Sequence, residues 1–155
     1  MANILILGAG SMGTAFSFPC SDNKHQVAVI GTHLENDFII QINSSKKHPA
    51  LNCDIPKNVK FLKFEKLSEE TKKKLDLIVV AVSSKGIEWA SNELSKVLKS
   101  HTPILILTKG LAIENDNYEI LAHKVERIIK KNGINAINIS AAGGPCLAQE
   151  LTKKI

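Results

Sequence analysis

A short glycine-rich loop near the N-terminus constrains this chain more than any other feature of its sequence. The segment Gly8-Ala9-Gly10-Ser11-Met12-Gly13 directly follows the apolar run Ile4–Leu7. A second apolar run, Gln26–Ile30, comes within about 30 residues of it. In a strand–turn–helix unit of this kind the first glycine permits the turn, the second lets the backbone approach an anion, and the third lets the helix pack on the sheet. N–H groups at the helix N-terminus then face the phosphates. The loop therefore predicts a pyrophosphate site for NAD(H) or NADP(H).

Apolar runs alternate with amphipathic stretches along the chain, as expected of βαβ crossovers. Continuous Ile, Leu and Val runs are typical of strands that helices cover on both faces. Residues 1–155 are therefore expected to form one α/β domain, a Rossmann-like, doubly wound, mostly parallel sheet with helices on both faces. The predicted strands are Asn3–Leu7, Gln26–Ile30, Val59–Leu62, Asp76–Val82, Pro103–Leu107 and Ala136–Ile139. The predicted helices are Ser11–Cys20, Glu35–Asn43, Leu67–Lys74, Gly86–Lys99 and Asn117–Lys131.

Two segments interrupt this regular pattern. Pro19 lies where the first predicted helix should continue, and proline removes a backbone donor there, so we expect that helix to end early or kink. Residues 44–58 contain Pro49 and Pro56 and are expected to form irregular surface chain. Within them, His48 is expected to anchor the loop rather than to act in catalysis.

The end of the second predicted strand bears on the choice of cofactor. NAD-selective folds usually carry Asp or Glu there to bind the ribose hydroxyls. Here the position falls around Gly31-Thr32-His33, and the first carboxylate is Glu35. Thr32 can donate a hydrogen bond to a 2′-phosphate, and His33 can do so when protonated. The sequence therefore predicts that NADP(H) is tolerated or preferred.

Three further loops follow predicted strands and belong at the edge of the sheet where open α/β folds bind ligands. They are Val82–Lys85, Thr108–Leu111 and Gly143–Ala148. Lys109 follows an apolar strand, so its ammonium is expected to project into the cleft; a solvent-exposed lysine before a glycine turn is the alternative. The Gly143-Gly144-Pro145 segment either presents backbone donors to a ligand or forms an ordinary strand-to-helix turn.

Composition narrows the classes of partner. The net charge of +5 suits anionic small molecules, but a single Trp and a single Tyr give little base stacking, so no nucleic-acid partner is expected. No metal site is expected, because CxxC and HExxH motifs are absent. The apolar stretch Leu77–Val82 is far too short to span a membrane. Cys20, Cys53 and Cys146 are odd in number and scattered, and the N-terminus does not resemble a signal peptide, so the cytoplasm is the expected location.

Together, these motifs resemble the NAD(P)-dependent glycerol-3-phosphate dehydrogenases in their N-terminal cofactor-binding domain. The resemblance covers essentially the whole chain, and its more specific parts are Thr108–Leu111 and Gly144–Leu151. It implies that Met12 stands where an aromatic residue is frequent and Cys146 where Ser or Thr is common. By resemblance, the cofactor-binding residues are Gly8, Gly10, Ser11, Met12, Gly13, Thr32, His33, Ser83, Lys109 and Ala148, and the substrate-binding residues are Lys109, Gly144 and Cys146.

The resemblance also implies an activity. The family moves a hydride between the nicotinamide and C2 of sn-glycerol 3-phosphate, giving dihydroxyacetone phosphate. Its proton-transfer lysine belongs to a second, helical domain, through which a homodimer could form and which is absent from this chain. No catalytic residue is therefore assigned here, and the chain alone is expected to be inactive. The alternatives are a stand-alone, non-catalytic NAD(P)-binding sensor and a reductase of another small oxo acid.

Overall fold

The computed structural model describes residues 1–98 and 101–153. The strands are β1 (Asn3–Leu7), β2 (Gln26–Ile30), β3 (Lys47–His48), β4 (Cys53–Asp54), β5 (Val59–Leu62), β6 (Leu77–Val80), β7 (Ile104–Ile106), β8 (Leu111–Glu114), β9 (Asn117–Ile120) and β10 (Ile139–Ala141). The helices are α1 (Ser11–Asp22), α2 (Asn36–Ser45), α3 (Leu67–Glu70), α4 (Ile87–Val97), α5 (Leu121–Lys131) and α6 (Ala148–Thr152).

Six of these strands form one parallel sheet in the order β10-β7-β6-β1-β2-β5. The chain leaves β1 for β2 on one side and later returns to β6 on the other side, so the strand order reverses at β1. In doubly wound sheets ligands bind outside the carboxyl ends of the strands at this reversal. The predicted fold class is confirmed, and the glycine loop, which follows β1, lies at the reversal.

Apolar side chains pack on both faces of the sheet. In β1, Leu5 and Leu7 point to the face covered by α4 and α5, whereas Ile4 and Ile6 point to the face covered by α1 and α2. This alternation follows from the pleat, which sends successive side chains to opposite faces. Helices on both faces explain why the central strands have no polar side.

The predicted strands agree with the structure best in the first half of the chain. The bounds of β1, β2 and β5 match the prediction, while β6 and β7 are shorter than predicted. The last predicted strand, Ala136–Ile139, is wrong, since β10 begins at Ile139 and continues through Ser140 and Ala141. Residues 136–138 still contribute single backbone bonds, from His101 N–H to the Ala136 carbonyl and from Ile104 N–H to the Asn138 carbonyl. Small and polar residues carry this strand, so an apolar run did not mark it.

The predicted helix Asn117–Lys131 is wrong in its first turn. Residues Asn117–Ile120 form β9, which pairs antiparallel with β8, and helix α5 begins only at Leu121. The turn between the two strands explains the difference. Asn115 and Asp116 have positive φ angles, of 48° and 61°, as a two-residue hairpin turn of type I′ requires at both positions. The predicted helix Leu67–Lys74 is too long, because α3 ends at Glu70. Helix α4 ends at Val97, and the predicted end of that helix, Lys99, lies outside the described residues.

Pro19 does not end the first helix. Helix α1 continues through it to Asp22, and the backbone and side-chain N–H groups of Asn23 both donate to the Pro19 carbonyl. The predicted early end is therefore wrong. Residues 44–58 are also more ordered than expected, because β3 and β4 form a short hairpin there and bury His48 and Leu51.

Candidate functional site

The glycine loop is a tight turn between β1 and α1 whose outer glycines touch the rest of the fold. Gly8 has φ of +110°, and a Cβ built on it would lie 2.6 Å from the Ala81 carbonyl oxygen. A Cβ on Gly13 would overlap the Gly8 carbonyl oxygen and come within 3.0 Å of the Ala81 Cβ. These two glycines therefore let α1 lie directly against β1 and β6.

Gly10 differs from its neighbours because it faces open space. Among the described residues, the atom nearest to a Cβ built on Gly10 is Glu35 Oε1, at 4.0 Å. Gly10 is the N-cap of α1 and, as a glycine, makes no side-chain capping bond to the first turn of the helix. The first turn of α1, Ser11–Gly13, thus begins beside a space that a side chain at position 10 would fill. This cradle fits an anion held at a helix N-terminus.

A carboxylate lies beside this cradle. Glu35 Oε2 accepts hydrogen bonds from the N–H groups of Thr32, at 2.7 Å, and Ala9, at 3.2 Å. The chain turns back after β2, with the Glu35 N–H donating to the Thr32 carbonyl at 3.0 Å, and this turn carries the carboxylate to the end of the strand. The position of Glu35 could not be predicted from the sequence, because the number of residues between the strand end and Glu35 does not reveal the turn that brings the carboxylate back.

The two residues predicted near the adenosine ribose occupy this turn. Thr32 is half-buried and its N–H is held by Glu35, while His33 is exposed. The His33 ring lies 4.7 Å from the Trp89 ring, centroid to centroid, and Trp89 lies 5.1 Å from Phe64. This aromatic group joins the end of β2, the segment after β5 and helix α4. It could not be predicted, since its members are distant in sequence.

The predicted substrate residues Lys109 and Gly144 meet in the structure. Lys109 Nζ donates a hydrogen bond to the Gly144 carbonyl oxygen. Both line a cleft of about 290 Å³ whose walls are residues 108–110, 120–122 and 141–144. The loop that carries Lys109 is held in place by Thr108 Oγ1, which donates to the Val82 carbonyl at 2.6 Å. The exposed Lys109 and Gly144 thus bring a cation and a backbone carbonyl to the lining of this cleft.

The remaining predicted site residues lie on the segments that follow strands β6 and β10. Ser83 is exposed after β6, at the start of a short 3₁₀ turn that leads into α4. Cys146 is exposed between β10 and α6, and Ala148 is half-buried at the first turn of α6. Helix α6 packs against α1, which brings the segment after β10 back toward the helix of the glycine loop. Ligand contacts of these residues stay predictions.

Comparison with protein-family models matches residues 3–155 to the N-terminus of the NAD-dependent glycerol-3-phosphate dehydrogenases. The chain belongs to this family. It is 27% identical over 152 residues to the NADP(+)-dependent glycerol-3-phosphate dehydrogenase of Archaeoglobus fulgidus, covering 98% of this chain and 44% of that protein. It is 31% identical over 154 residues to the glycerol-3-phosphate dehydrogenase (NAD(P)+) of Bacillus pumilus, covering 97% of this chain and 42% of that protein.

A solved structure of the family has the same fold. The glycerol-3-phosphate dehydrogenase from Coxiella burnetii superimposes with a TM-score of 0.78 at 20% identity, covering 99% of this chain and 44% of that one. This chain therefore spans less than half the length of these members of the family. The predicted family resemblance is confirmed.

Residues 1–98 and 101–153 contain neither a cluster of metal ligands nor a membrane-spanning helix. No group of three or more His, Cys, Asp or Glu side chains there is placed to hold a metal ion. None of the helices in that part of the chain combines the length and apolar character needed to cross a membrane.

Proposed function

We propose that this chain is the cofactor-binding part of a glycerol-3-phosphate dehydrogenase, which interconverts sn-glycerol 3-phosphate and dihydroxyacetone phosphate with NAD(P)(H). The observation that carries this proposal is the open cradle at Gly10, at the N-terminus of α1, in a chain of this family. When bound, the nicotinamide supplies or accepts the hydride. Every other contribution of this chain is to bind and orient.

The roles of the residues follow from their positions. The N–H groups of Ser11, Met12 and Gly13 would hold the pyrophosphate. Lys109, which lines the cleft together with Gly144, would offer its ammonium to the substrate side of the site. We assign no proton-transfer group among these residues.

An exposed apolar face beside the cleft is an argument for a further domain in the complete enzyme. On the hairpin β8–β9, Leu111 is paired with Ile120 and Ile113 with Tyr118. These four side chains are between 47% and 79% exposed. Contiguous exposed apolar surface marks an interaction site. We propose that the helical, substrate-binding domain of the enzyme covers it, and that self-association of the enzyme uses that domain.

The chain by itself is expected to bind the dinucleotide but to have no dehydrogenase activity. Its residues hold the cofactor, but a group to move the hydroxyl proton and cations to enclose the phosphate are proposed to come from the other domain. Calorimetric titration with NADH should detect binding, and the NADH absorbance should stay constant after addition of dihydroxyacetone phosphate. Steady reduction of dihydroxyacetone phosphate by the 155-residue chain would show that the catalytic group lies within it.

The position of Glu35 removes the ground on which the sequence favoured NADP(H). A carboxylate at the end of β2 can accept hydrogen bonds from both ribose hydroxyls and repels a 2′-phosphate. We therefore propose that NAD(H) is preferred over NADP(H).

Replacement of this carboxylate tests the preference. Glu35→Gln removes one negative charge with little change of shape, so the ratio of the NADPH to the NADH dissociation constant should fall by about 10-fold or more, since 1.4 kcal/mol suffices for that change. Glu93→Gln is the matched control, because Glu93 lies on α4 and pairs with Lys96. Equal affinities for the two cofactors in the unaltered chain would contradict the proposal.

We propose that the enzyme is cytoplasmic. Cys20, Cys53 and Cys146 all carry free thiols in the structure. Burial raises the pKa of the Cys20 thiol to about 11, which keeps it protonated and unreactive. Free thiols of this kind suit a reducing compartment.

A further inference from the structure

Trp89 is an aromatic side chain for which the sequence predicted no role. It belongs to the first turn of α4, and its ring lies 4.7 Å from that of His33 and 5.1 Å from that of Phe64, centroid to centroid. The three rings come from three crossovers, since His33 follows β2, Phe64 follows β5 and Trp89 follows β6. The aromatic group therefore lies at the carboxyl edge of the sheet, where open α/β folds bind ligands.

The aromatic group is anchored at one end and open at the other. Phe64 and Trp89 are half-buried and pack against the core on the face of the sheet that α4 and α5 cover. His33 is exposed, so its ring is the one that a ligand in solution can reach. Ring centroids at these separations are typical of attractive aromatic pairs. Trp89 thus gives the exposed imidazole ring a packed support.

The backbone that carries His33 is held as well. The Thr32 N–H donates to Glu35 Oε2 at 2.7 Å, and the Glu35 N–H donates to the Thr32 carbonyl at 3.0 Å. Leu34, which follows His33 in this turn, is 83% exposed. The outer surface of the turn is therefore aromatic and apolar, which suits the face of a flat base.

The turn lies on the side of the cradle toward which the adenosine half of a dinucleotide would extend. Glu35 connects the two places, because its Oε2 accepts from the Ala9 N–H at 3.2 Å and its Oε1 is 4.0 Å from a Cβ built on Gly10. The proposed substrate cleft follows β7 and β10, on the opposite side of the strand reversal at β1. A dinucleotide with its pyrophosphate at Gly10 and its ribose hydroxyls at Glu35 therefore carries its base toward His33.

We propose that Trp89 is a positioning residue for the cofactor: it holds the His33 ring against which the adenine base packs. This inference rests on the proposed cofactor site. The contact is between ring faces, so it adds affinity without a proton transfer or a new covalent bond. Because Trp89 supports the imidazole before the ligand arrives, less side-chain ordering is left for binding to supply.

Two ligands and four variants test this role. ADP-ribose carries the adenine, whereas nicotinamide mononucleotide lacks it. His33→Ala removes the ring that meets the base, Trp89→Leu removes its support, and Trp89→Phe keeps an aromatic ring there. Val97→Ala is the matched control, because Val97 is a half-buried apolar residue at the other end of α4. Affinities are measured by calorimetry, and urea unfolding of each variant is followed by circular dichroism.

His33→Ala should bind ADP-ribose at least about 5-fold more weakly, as the loss of base stacking predicts. Trp89→Leu should bind it about 2- to 12-fold more weakly, because binding must then order the imidazole, and Trp89→Phe should regain most of this loss. Nicotinamide mononucleotide should bind equally well to all of these proteins. Val97→Ala should bind both ligands like the unaltered chain.

The emission of Trp89 gives a readout in the unaltered chain, since it is the single tryptophan. The emission should change on addition of ADP-ribose and stay constant on addition of nicotinamide mononucleotide. Unaltered affinity for ADP-ribose in a folded His33→Ala or Trp89→Leu would overturn the inference, and so would an equal loss in Val97→Ala. If Trp89→Leu does not fold, His33→Ala and the emission of the unaltered chain decide. A chain that binds neither ADP-ribose nor NAD⁺ would contradict the proposed function itself.

Discussion

Gly10→Ala is expected to weaken dinucleotide binding strongly while leaving the fold intact. Gly10 has φ of −61° and ψ of 178°, an extended conformation that alanine adopts without strain. Among the described residues, the new Cβ would have Glu35 Oε1 as its nearest neighbour, at 4.0 Å. The free energy of unfolding should therefore stay the same or rise by about 0.4–1 kcal/mol, because alanine restricts the unfolded chain.

The same methyl group would occupy the space in which the pyrophosphate is proposed to lie. Overpacking of a close contact costs about 1–3 kcal/mol, which corresponds to about 5- to 150-fold in the dissociation constant. Titration with NADH measures this loss, and urea unfolding shows that the fold persists. Binding of NADH by Gly10→Ala as tight as that of the unaltered chain would mean that the cradle at Gly10 is not where the cofactor sits.

The parts of the fold that could be predicted share one physical property. Strands β1 and β2 are short, mainly apolar runs that end at a glycine, and β5 is a short, mainly apolar run between Asn58 and Lys63. Their bounds therefore follow from the sequence, as does the start of the helix at Ser11. Strand β9 could not be predicted, because the apolar periodicity that begins at Ile120 led to a predicted helix starting at Asn117, directly after the turn at Asn115-Asp116. A helical apolar stripe and a short hairpin strand look alike over four residues.

The candidate site also has a part that could be predicted from the sequence and a part that could not. Lys109 and Gly144 could be expected to approach each other, because each follows a strand of one parallel sheet and such strands end at one edge. The position of Glu35 depends on a turn, and the contact between the His33 and Trp89 rings depends on how two crossovers pack together. Contacts of that kind are set by tertiary packing, which motif spacing does not encode.

Gly13→Ala should have the opposite effect from Gly10→Ala, although the chemical change is the same and lies three residues away. A Cβ on Gly13 would overlap the Gly8 carbonyl oxygen, which belongs to the backbone and cannot rotate away, and it would lie 3.0 Å from the Ala81 Cβ. Helix α1 would have to move off the sheet, and this movement would expose Ala15 and Phe18, which are buried in the native structure.

The expected loss in free energy of unfolding for Gly13→Ala is at least about 3 kcal/mol, at the upper end of overpacking costs, because the obstructing atoms are backbone. Domains of this size are stable by only about 5–15 kcal/mol, so this loss should lower the urea midpoint clearly. The emission of Trp89, the single tryptophan, reports the transition, and circular dichroism confirms it. An unchanged midpoint would show that α1 can withdraw from β1 at little cost. In that case weak binding by Gly10→Ala could reflect a displaced helix. A large loss in Gly13→Ala, with none in Gly10→Ala, assigns the packing of α1 to Gly13 and the ligand cradle to Gly10.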